Sequence, residues 1–282
     1  MNNERNQLMS HINLKIYEKD FDELRQRGVQ SPEKDFVLFI QNLSLKSDGI
    51  NGFEDQIDFF FAQRKKRIPV ERMINQAQFR NLWFKLNRHV FKPCFETETL
   101  IDYALGYLED VKSPSILDCG AGSGCILLSL LNERLDATGI GIDIEDNIIN
   151  LAKDNAKELG LNDRCRFRVS DWGAGIDDKF DLIISNPPRI PTNYIQDLVK
   201  EVSLYDPKTA LDGGKMGVEF YKRTAKLMRT NGKVDAVCIL QVGDIILLEA
   251  IKAIKDEGFG NITIGRDYKY TTNCLIFSNM TA

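Results

Sequence analysis

Hydrophobic and polar residues follow two different patterns in this chain, and the pattern changes at about residue 115. Before that point, aromatic and aliphatic residues recur at helical spacing in successive stretches. After it, short apolar runs alternate with helical stretches, which is typical of parallel strands joined by right-handed crossovers. The pattern predicts an α/β fold with a doubly wound, mostly parallel sheet and a small helical N-terminal domain.

The predicted sheet has seven strands, and the last one runs against the others. Residues 261–265 and 273–277 are apolar runs with only a turn between them. A turn is too short for a parallel crossover, so the last strand must be antiparallel. The other strands are predicted at residues 115–119, 137–142, 165–169, 180–185 and 233–240, with helices at 125–132, 147–159, 217–228 and 244–257.

On this basis we divide the chain into a helical N-terminal domain over residues 1–77, a hairpin linker over 78–92 and an α/β domain over 93–282. Residues 78–87 alternate between apolar and polar, which favours a short hairpin, although an irregular linker fits the stretch equally well. Ser31 followed by Pro32 predicts the start of one of the N-terminal helices.

Charge, cysteine and histidine content argue against several classes of protein. With 37 basic and 41 acidic residues, the chain lacks the basic footprint of a nucleic-acid-binding protein. The six cysteines form no C-x-x-C pair and only two histidines occur, so we expect reduced thiols, no metal site and no His-based triad. Apolar runs are too short to span a bilayer and the first ten residues do not resemble a signal peptide, so we expect a cytoplasmic protein.

One run of consecutive basic residues departs from this balance: Arg64, Lys65, Lys66 and Arg67. Positive charges are favourable at the C-terminal end of a helix, so we interpret the run as a solvated helix end. Contact with an RNA-rich or acidic partner is the alternative.

A glycine-rich turn follows the first predicted strand: Asp118, Cys119, Gly120, Ala121, Gly122, Ser123, Gly124. Glycines let the chain turn sharply and let a ligand approach the backbone. The turn lacks the third glycine of the dinucleotide fingerprint, which argues against a pyrophosphate. Because Asp118 would repel a phosphate, we expect a cationic ligand with an amino group.

Two further strand ends carry residues suited to a nucleoside. Asp143 follows the second strand, where a carboxylate can accept both ribose hydroxyls, and its alternative role is a helix N-cap. Asp171 and Trp172 follow the third strand. Asp171 suits a polar contact with a purine and Trp172 suits an aromatic wall beside its ring, although a role of Trp172 in packing alone is an equal alternative. All of these residues lie at the carboxyl edge of the predicted sheet, where open α/β sheets bind ligands.

The fourth strand stops abruptly at Asn186, Pro187 and Pro188, because proline lacks an N–H group and fixes φ. The side-chain oxygen of Asn186 and the carbonyl of Pro187 can accept both N–H groups of a planar amide or an exocyclic base amine. That arrangement aligns the nitrogen lone pair with a methyl donor. A neutral Asn also avoids stabilising a sulfonium donor in the ground state, as a carboxylate would. We therefore expect Asn186 and Pro187 to be catalytic.

These motifs resemble Class I S-adenosylmethionine-dependent methyltransferases of the amino-methylating group. More narrowly, they resemble the HemK-type enzymes that methylate the glutamine of the Gly-Gly-Gln motif in peptide-chain release factors. The resemblance covers about residues 64–278 and includes residues 93–98, where the family has Pro-Arg-Pro-Glu-Thr-Glu. Further matching positions are Arg67, Pro69, Phe79, Thr97, Glu201, Tyr205, Gly213, Gly217, Gln241, Gly243 and Arg266.

The resemblance implies a release-factor glutamine methyltransferase that is a monomer, uses S-adenosylmethionine, releases S-adenosylhomocysteine and binds no nucleic acid stably. Its N-terminal helices are then a substrate-recognition domain. The substrate amide is then held by Asn186, Pro187, Pro188 and Arg189. The cofactor-binding residues that it implies are Asp118, Gly120, Ala121, Gly122, Ser123, Gly124, Asp143, Ile144, Asp171, Trp172 and Asn186.

The chain departs from the family pattern at several positions. Arg189 stands where the family has Tyr, Cys94 and Phe95 replace Arg and Pro, and Ala121 replaces the usual Thr. An aromatic residue at position 189 is expected to pack on the target amide, so the arginine implies an altered substrate pocket or a side chain that turns outward. An RNA or DNA adenine amino-methyltransferase and a weakly active or non-catalytic cofactor-binding protein are the alternative functions.

Overall fold

The structure is a computed structural model that describes residues 13–46 and 53–279. The chain divides into two compact units. One consists of the described residues up to Gln76 together with Val199–Tyr205, and the other of Ala77–Leu198 with the residues from Asp206 onward. The first ten residues, which we expect not to be a signal peptide, and His11 lie outside the described residues.

The first unit is helical, and its core is built from aromatic rings. Phe36 packs against Phe21, Phe60 and Phe61 with ring centroids 5.2 to 5.6 Å apart. Pro32 is the first residue of its helix, as the Ser-Pro pair predicts. The described residues up to Gln76 form a 3₁₀ turn at Leu14–Tyr17 and the helices α1 (Glu18–Gln26), α2 (Pro32–Lys46), α3 (Phe53–Lys65) and α4 (Val70–Ile74), and Val199–Tyr205 adds a short helix at Lys200–Ser203.

The run of basic residues at the end of α3 takes part in ion pairs within this unit. Arg64 is buried and lies 2.8 Å from Asp35 and 3.5 Å from Glu201. Arg67 donates to both carboxylate oxygens of Glu201. Lys65 pairs with Glu23 at 2.8 Å. The helix does end at this run, but the interpretation of a wholly solvated end is wrong, because Arg64 is buried.

The second unit contains the seven-stranded sheet that the pattern predicts. Its strands are β3 (Ser115–Cys119), β4 (Thr138–Asp143), β5 (Cys165–Val169), β6 (Phe180–Ser185), β7 (Gly232–Gln241), β8 (Ile262–Arg266) and β9 (Thr272–Ser278). Their order is β5-β4-β3-β6-β7-β9-β8, and every strand is parallel to its neighbours except β9, which pairs antiparallel with both β7 and β8. The predicted fold class is therefore confirmed.

Side chains alternate between the two faces of this sheet, and helices cover both. In β6, Leu182 and Ile184 belong to the core on one face, whereas Ile183 belongs to the core on the other. Both faces are apolar because the crossover helices leave neither open to water. One face is covered by α5 (Phe95–Tyr107), α6 (Cys125–Glu133) and α7 (Asp146–Glu158), and the other by α8 (Glu219–Asn231) and α9 (Leu247–Asp256).

The stretch considered above as a hairpin or an irregular linker is a hairpin of β1 (Gln76–Phe79) and β2 (Leu82–Lys85). Phe79 and Phe84 belong to the same core as α5 and α6. The backbone of Lys85 exchanges hydrogen bonds with the side chain of Asn155, at 2.9 and 3.2 Å. The hairpin is therefore packed as part of the second unit.

The structure differs from the predicted elements mainly at helix and strand ends. The helix predicted at 244–257 is a 3₁₀ turn at Asp244–Ile246 followed by α9. The region between β6 and α8, for which we predict a long loop, contains a 3₁₀ helix at Thr192–Asp197 and short helices at Lys200–Ser203 and Lys208–Leu211. No helix among the described residues is long and apolar enough to cross a membrane.

Candidate active site

The glycine-rich turn lies at the carboxyl end of β3 and leads into α6. Gly120, Gly122 and Gly124 all have positive φ, at 71°, 56° and 82°, which only glycine adopts without strain. The amides of Gly120 and Ala121 both donate to the carbonyl of Ile142 at 2.9 Å, which ties the turn to the end of β4. No heavy atom lies within 4 Å of the position that a Cβ of Gly122 would occupy, so the turn borders open space.

Asp143 is held by the glycine-rich turn on one side and by its own chain on the other. Its Oδ2 accepts from the amide of Gly122 at 2.9 Å, and its Oδ1 accepts from the amide of Ile144 at 2.8 Å. Burial raises the pKa of Asp143, and these two hydrogen bonds oppose that effect. Each carboxylate oxygen has a further acceptor site, so the fixed carboxylate can still accept hydroxyl groups.

Asp118 is the most deeply buried acid at this edge, with no exposed surface. Its Oδ2 accepts from the amide of Leu127 in the first turn of α6 at 3.2 Å, and its Oδ1 has no hydrogen-bond partner among the described residues. Burial raises the pKa of Asp118 to about 7. The side chain is covered by protein, and its contact with a cofactor amino group stays a prediction.

The structure brings Trp172 to the glycine-rich turn. A Cβ on Gly120 would lie 3.7 Å from the Trp172 ring. The indole N–H donates to the hydroxyl of Thr224 at 2.8 Å, and the ring packs on Phe220 with centroids 4.5 Å apart. Asp171 is exposed and accepts from Arg223 at 2.6 Å. Trp172 is thus placed to border a ligand over the turn, and the ligand contacts of Trp172 and Asp171 stay predictions.

Asn186 follows directly after β6, and its side-chain amide has a fixed orientation. Its Nδ2 donates to the hydroxyl of Thr97 at 3.1 Å, and that hydroxyl donates to Oε1 of Gln241 at 2.7 Å. A threonine hydroxyl has one proton, so once it donates to Gln241 it can only accept from Asn186. Asn186 must therefore turn its NH₂ group towards Thr97 and its oxygen away from it.

Thr97 and Gln241 are functional-site residues that reasoning from the sequence did not assign. Thr97 lies in the first turn of α5 and Gln241 is the last residue of β7, and both are buried. They lie 144 residues apart in the chain. Both residues match the family pattern, and Thr97 lies in residues 93–98, where the family has Pro-Arg-Pro-Glu-Thr-Glu. That match is the feature of the sequence that could have assigned them to the site.

Arg189 does not turn outward, because its Nη1 donates to Oδ1 of Asn186 at 2.5 Å. The backbone of Arg189 is enclosed by two glycines. A Cβ on Gly213 would lie 2.8 Å from the Arg189 Cα, and a Cβ on Gly217 would lie 2.5 Å from its carbonyl oxygen. Of the two prolines before it, Pro187 is buried and Pro188 is partly exposed. The oxygen expected to receive a substrate amide is thus engaged by a side chain of the protein itself.

The predicted site residues gather at one edge of the sheet. The glycine-rich turn, Asp143, Trp172 and Asn186 follow the ends of β3, β4, β5 and β6, which are adjacent in the sheet. The hydroxyl of Ser185 donates to the carbonyl of Cys119 at 2.5 Å and joins the ends of β6 and β3. Asn186 therefore lies beside the glycine-rich turn, as the sequence predicts.

Comparison with known proteins identifies the family. A family described as "Methyltransferase domain" matches residues 110–260. The release factor glutamine methyltransferase of Rhodospirillum rubrum is 38% identical over 71% of this chain and 64% of its own, so this chain spans less than two thirds of that relative. Its counterpart in Caulobacter vibrioides is 34% identical over 72% of this chain and 74% of its own. That of Fusobacterium nucleatum is 29% identical over 91% of this chain and 76% of its own.

Among solved structures, the hMettl16 catalytic domain in complex with a 3'UTR hairpin aligns with a TM-score of 0.54 and 16% identity, over 70% of this chain and 76% of that one. At that identity the likeness concerns the fold alone. The domain match covers the sheet from before β3 to before β8, and the Caulobacter alignment covers most of both proteins. The chain belongs to the family of release factor glutamine methyltransferases, within the larger group of methyltransferase-domain proteins.

Proposed function

We propose that this protein transfers a methyl group from S-adenosylmethionine to the side-chain amide nitrogen of the glutamine in the Gly-Gly-Gln motif of peptide-chain release factors. The observation that carries the proposal is the orientation of Asn186. Thr97 and Gln241 turn the Asn186 carbonyl oxygen away from themselves, so this oxygen points outwards as an acceptor at the strand end beside the glycine-rich turn, where Arg189 donates to it in the structure.

The residues at this edge fit S-adenosylmethionine, which supplies an electrophilic methyl group on a sulfonium when bound. Asp143 is fixed by two backbone amides and keeps acceptor sites for a ribose. The space above Gly122 is open, and the Trp172 ring borders the turn at Gly120. Ile144, which is 58% exposed, adds an apolar surface beside Asp143. A carboxylate that accepts hydroxyl groups and an aromatic ring suit a nucleoside better than a phosphate.

Asn186 and Pro187 act on the methyl acceptor. An amide nitrogen is a weak nucleophile because its lone pair is delocalised into the carbonyl. Accepting its two N–H groups on the Asn186 oxygen and the Pro187 carbonyl orients that lone pair and supports the positive charge that develops on nitrogen. The nitrogen would gain the methyl group as the methyl–sulfur bond breaks and its electron pair stays on sulfur, and the nitrogen would lose one proton to solvent water. Arg189 must leave the Asn186 oxygen before the amide can bind in this way.

Release factors are the proposed protein partners, and a translation factor as substrate places the reaction in the cytoplasm. The first unit is the candidate for recognition of the release factor. Its basic run supports a protein partner over RNA, because Arg64, Lys65 and Arg67 are already engaged by carboxylates of the same unit. The net charge of −4 points the same way, because a phosphate backbone attracts basic surfaces.

The test is incubation with labelled S-adenosylmethionine and either purified release factors or total RNA. We expect label in the release factor, and loss of that label when its Gly-Gly-Gln glutamine is replaced. Label in RNA alone would contradict the proposal and favour an adenine amino-methyltransferase. Cofactor binding without transfer to any of these would favour a non-catalytic role.

Two variants separate the roles of the site residues. Asn186→Ala should abolish transfer and keep most of the affinity for the cofactor, whereas Asp143→Ala should mainly weaken cofactor binding, measured by calorimetry. Asn162→Ala is the matched control, because Asn162 is exposed and its side-chain amide donates to the neighbouring Asp163, away from the strand ends that form the site. An equal loss of cofactor affinity in the first two variants would refute this division.

A further inference from the structure

Arg189 competes with the proposed substrate for one atom. Its Nη1 hydrogen-bonds Oδ1 of Asn186, the oxygen that the proposed function assigns to an amide N–H of the methyl acceptor. A hydrogen bond from a charged donor is roughly twice as strong as one from a neutral amide. A neutral glutamine amide alone is therefore a weak competitor for this oxygen, and something else must favour release of the guanidinium.

The guanidinium can leave only by rotation of its side chain, because the backbone is fixed. The amide of Ile190 donates to the carbonyl of Leu211 and the amide of Gly213 donates to the carbonyl of Ile190, both at 2.9 Å. Gly213 and Gly217 approach the Arg189 backbone more closely than any residue with a Cβ could. After rotation, the positive charge remains beside the methyl-transfer site, within reach of whatever binds there.

That positive charge lacks a counter-ion within the part of the chain that the structure describes. No carboxylate there lies within ion-pair distance of Arg189, whereas Arg223, near the same edge, pairs with Asp171. The ionisable neighbours that sense its charge are Cys94 and Tyr221, and burial raises the pKa of both. Both are neutral at physiological pH. A sulfonium at the same site adds a second positive charge, and like charges close together in a partly buried site repel strongly.

We propose that Arg189 is a specificity-determining residue that selects methyl acceptors carrying a carboxylate beside the target amide. The carboxylate of a neighbouring Asp or Glu side chain pairs with the guanidinium and draws it off the Asn186 oxygen, so that the carboxylate is neutralised by Arg189 and not by the sulfonium. The substrate class is thus an acidic peptide segment around the methylated glutamine. The inference rests on the proposed function, since it concerns the same acceptor oxygen.

The planar guanidinium fits this role better than an ammonium group. Only one of its five N–H groups has a hydrogen-bond partner among the described residues, so a pair of parallel donors remains for a carboxylate. A phosphate has similar acceptor geometry. We favour the carboxylate, because a polyphosphate backbone carries a charge on every nucleotide and is repelled by a chain of net charge −4 more strongly than one or two carboxylates are.

The test uses the full-length protein and two peptides of equal length that contain Gly-Gly-Gln, one with Glu on both sides of the motif and one with Gln there. Calorimetry in the presence of S-adenosylhomocysteine gives the affinity of each peptide, and labelled methyl transfer gives kcat/KM. We expect the wild-type protein to prefer the acidic peptide about tenfold in affinity, which corresponds to ~1.4 kcal/mol. Arg189→Tyr and Arg189→Gln should bind the two peptides equally.

Arg229→Gln is the matched control, because it removes the same charge from the far end of α8, where Arg229 contacts the carbonyl of Glu257. It should keep the tenfold preference. The inference is overturned if the wild-type protein shows no preference for the acidic peptide, if the Arg189 variants keep that preference, or if neither peptide binds. It is also overturned if a single-stranded RNA oligonucleotide displaces the acidic peptide at a lower concentration than the unlabelled acidic peptide does. A preference in binding without methylation of either peptide would instead overturn the proposed function and leave the inference standing.

Discussion

Replacing Asp118 with Asn should make the ligand-free protein more stable at high pH. Burial raises the pKa of Asp118 from 3.8 to about 7, so the folded protein keeps a proton there that the unfolded chain has already lost. Stability therefore falls as the pH rises from about 4 to about 7 and is level above that. The asparagine side chain keeps the acceptor for the Leu127 amide and removes the titration.

The magnitude follows from the two pKa values. A carboxyl with a pKa of 3.8 when unfolded and about 7 when folded costs about 2 kcal/mol of stability at pH 5 and about 4 kcal/mol at pH 8. The difference of about 2 kcal/mol is the quantity to measure, because the substituted amide adds a cost that does not depend on pH. That cost is about 1–3 kcal/mol, since its NH₂ group takes the place of the unpartnered Oδ1 of Asp118.

The assay is urea unfolding of both proteins at pH 5 and pH 8 without cofactor, followed by tryptophan fluorescence. The chain has two tryptophans, Trp83 and Trp172, and both lie in the second unit, so the signal reports the unit that contains Asp118. Relative to Asp118→Asn, the wild-type free energy of unfolding should fall by about 2 kcal/mol between the two pH values. Parallel behaviour of the two proteins would show that Asp118 is not buried with a raised pKa.

Two further substitutions test the supports of the site and of the first unit. Glu201→Gln should destabilise the first unit by about 2 kcal/mol, because Arg67 loses a half-buried partner. Burial raises the pKa of Glu201, but its hydrogen bonds and the positive charges of Arg67 and Arg64 together outweigh that effect and lower the pKa. Circular dichroism melts should therefore show the wild-type advantage vanishing as the pH falls below 4.5, and a gap that persists there would contradict the ion pair. Gly217→Ala places a Cβ 2.5 Å from the carbonyl oxygen of Arg189 at a φ of +72°, so it should lower the melting temperature and reduce the transfer rate by about tenfold or more. Gly243→Ala, with no atom within 4 Å, is its control, and equal behaviour of the two variants would refute the close approach.

The sheet and the position of the site could be predicted because both follow from local sequence patterns. The apolar run of β6 ends at two prolines, and the glycine-rich turn separates β3 from α6, so each strand end is marked within a few residues. Parallel strands bring such ends to one edge without any long-range information. The position of Asn186 beside the glycine-rich turn therefore needed only the order of the elements.

The side-chain contacts that determine how the site functions could not be predicted in the same way. Thr97 meets Gln241 only because α5 packs on the sheet with its first turn at the end of β7. Arg67 meets Glu201 although 134 residues separate them, and no local pattern assigns Val199–Tyr205 to the first unit. Such pairs depend on tertiary packing, and a single sequence carries no direct record of it.

The orientation of Asn186 shows why these long-range contacts matter for the reaction. An asparagine amide can rotate by half a turn with little change in shape, and the rotated form would present a donor to the substrate nitrogen instead of an acceptor. Thr97 alone does not prevent this, because a hydroxyl can donate or accept. Oε1 of Gln241 accepts a hydrogen bond from this hydroxyl at 2.7 Å, which leaves Thr97 its acceptor role towards Asn186. Arg189 is the one described side chain that donates to the Asn186 oxygen, and a guanidinium has no acceptor. The contacts from the end of β7 and from Arg189 therefore agree on the same orientation of the Asn186 amide.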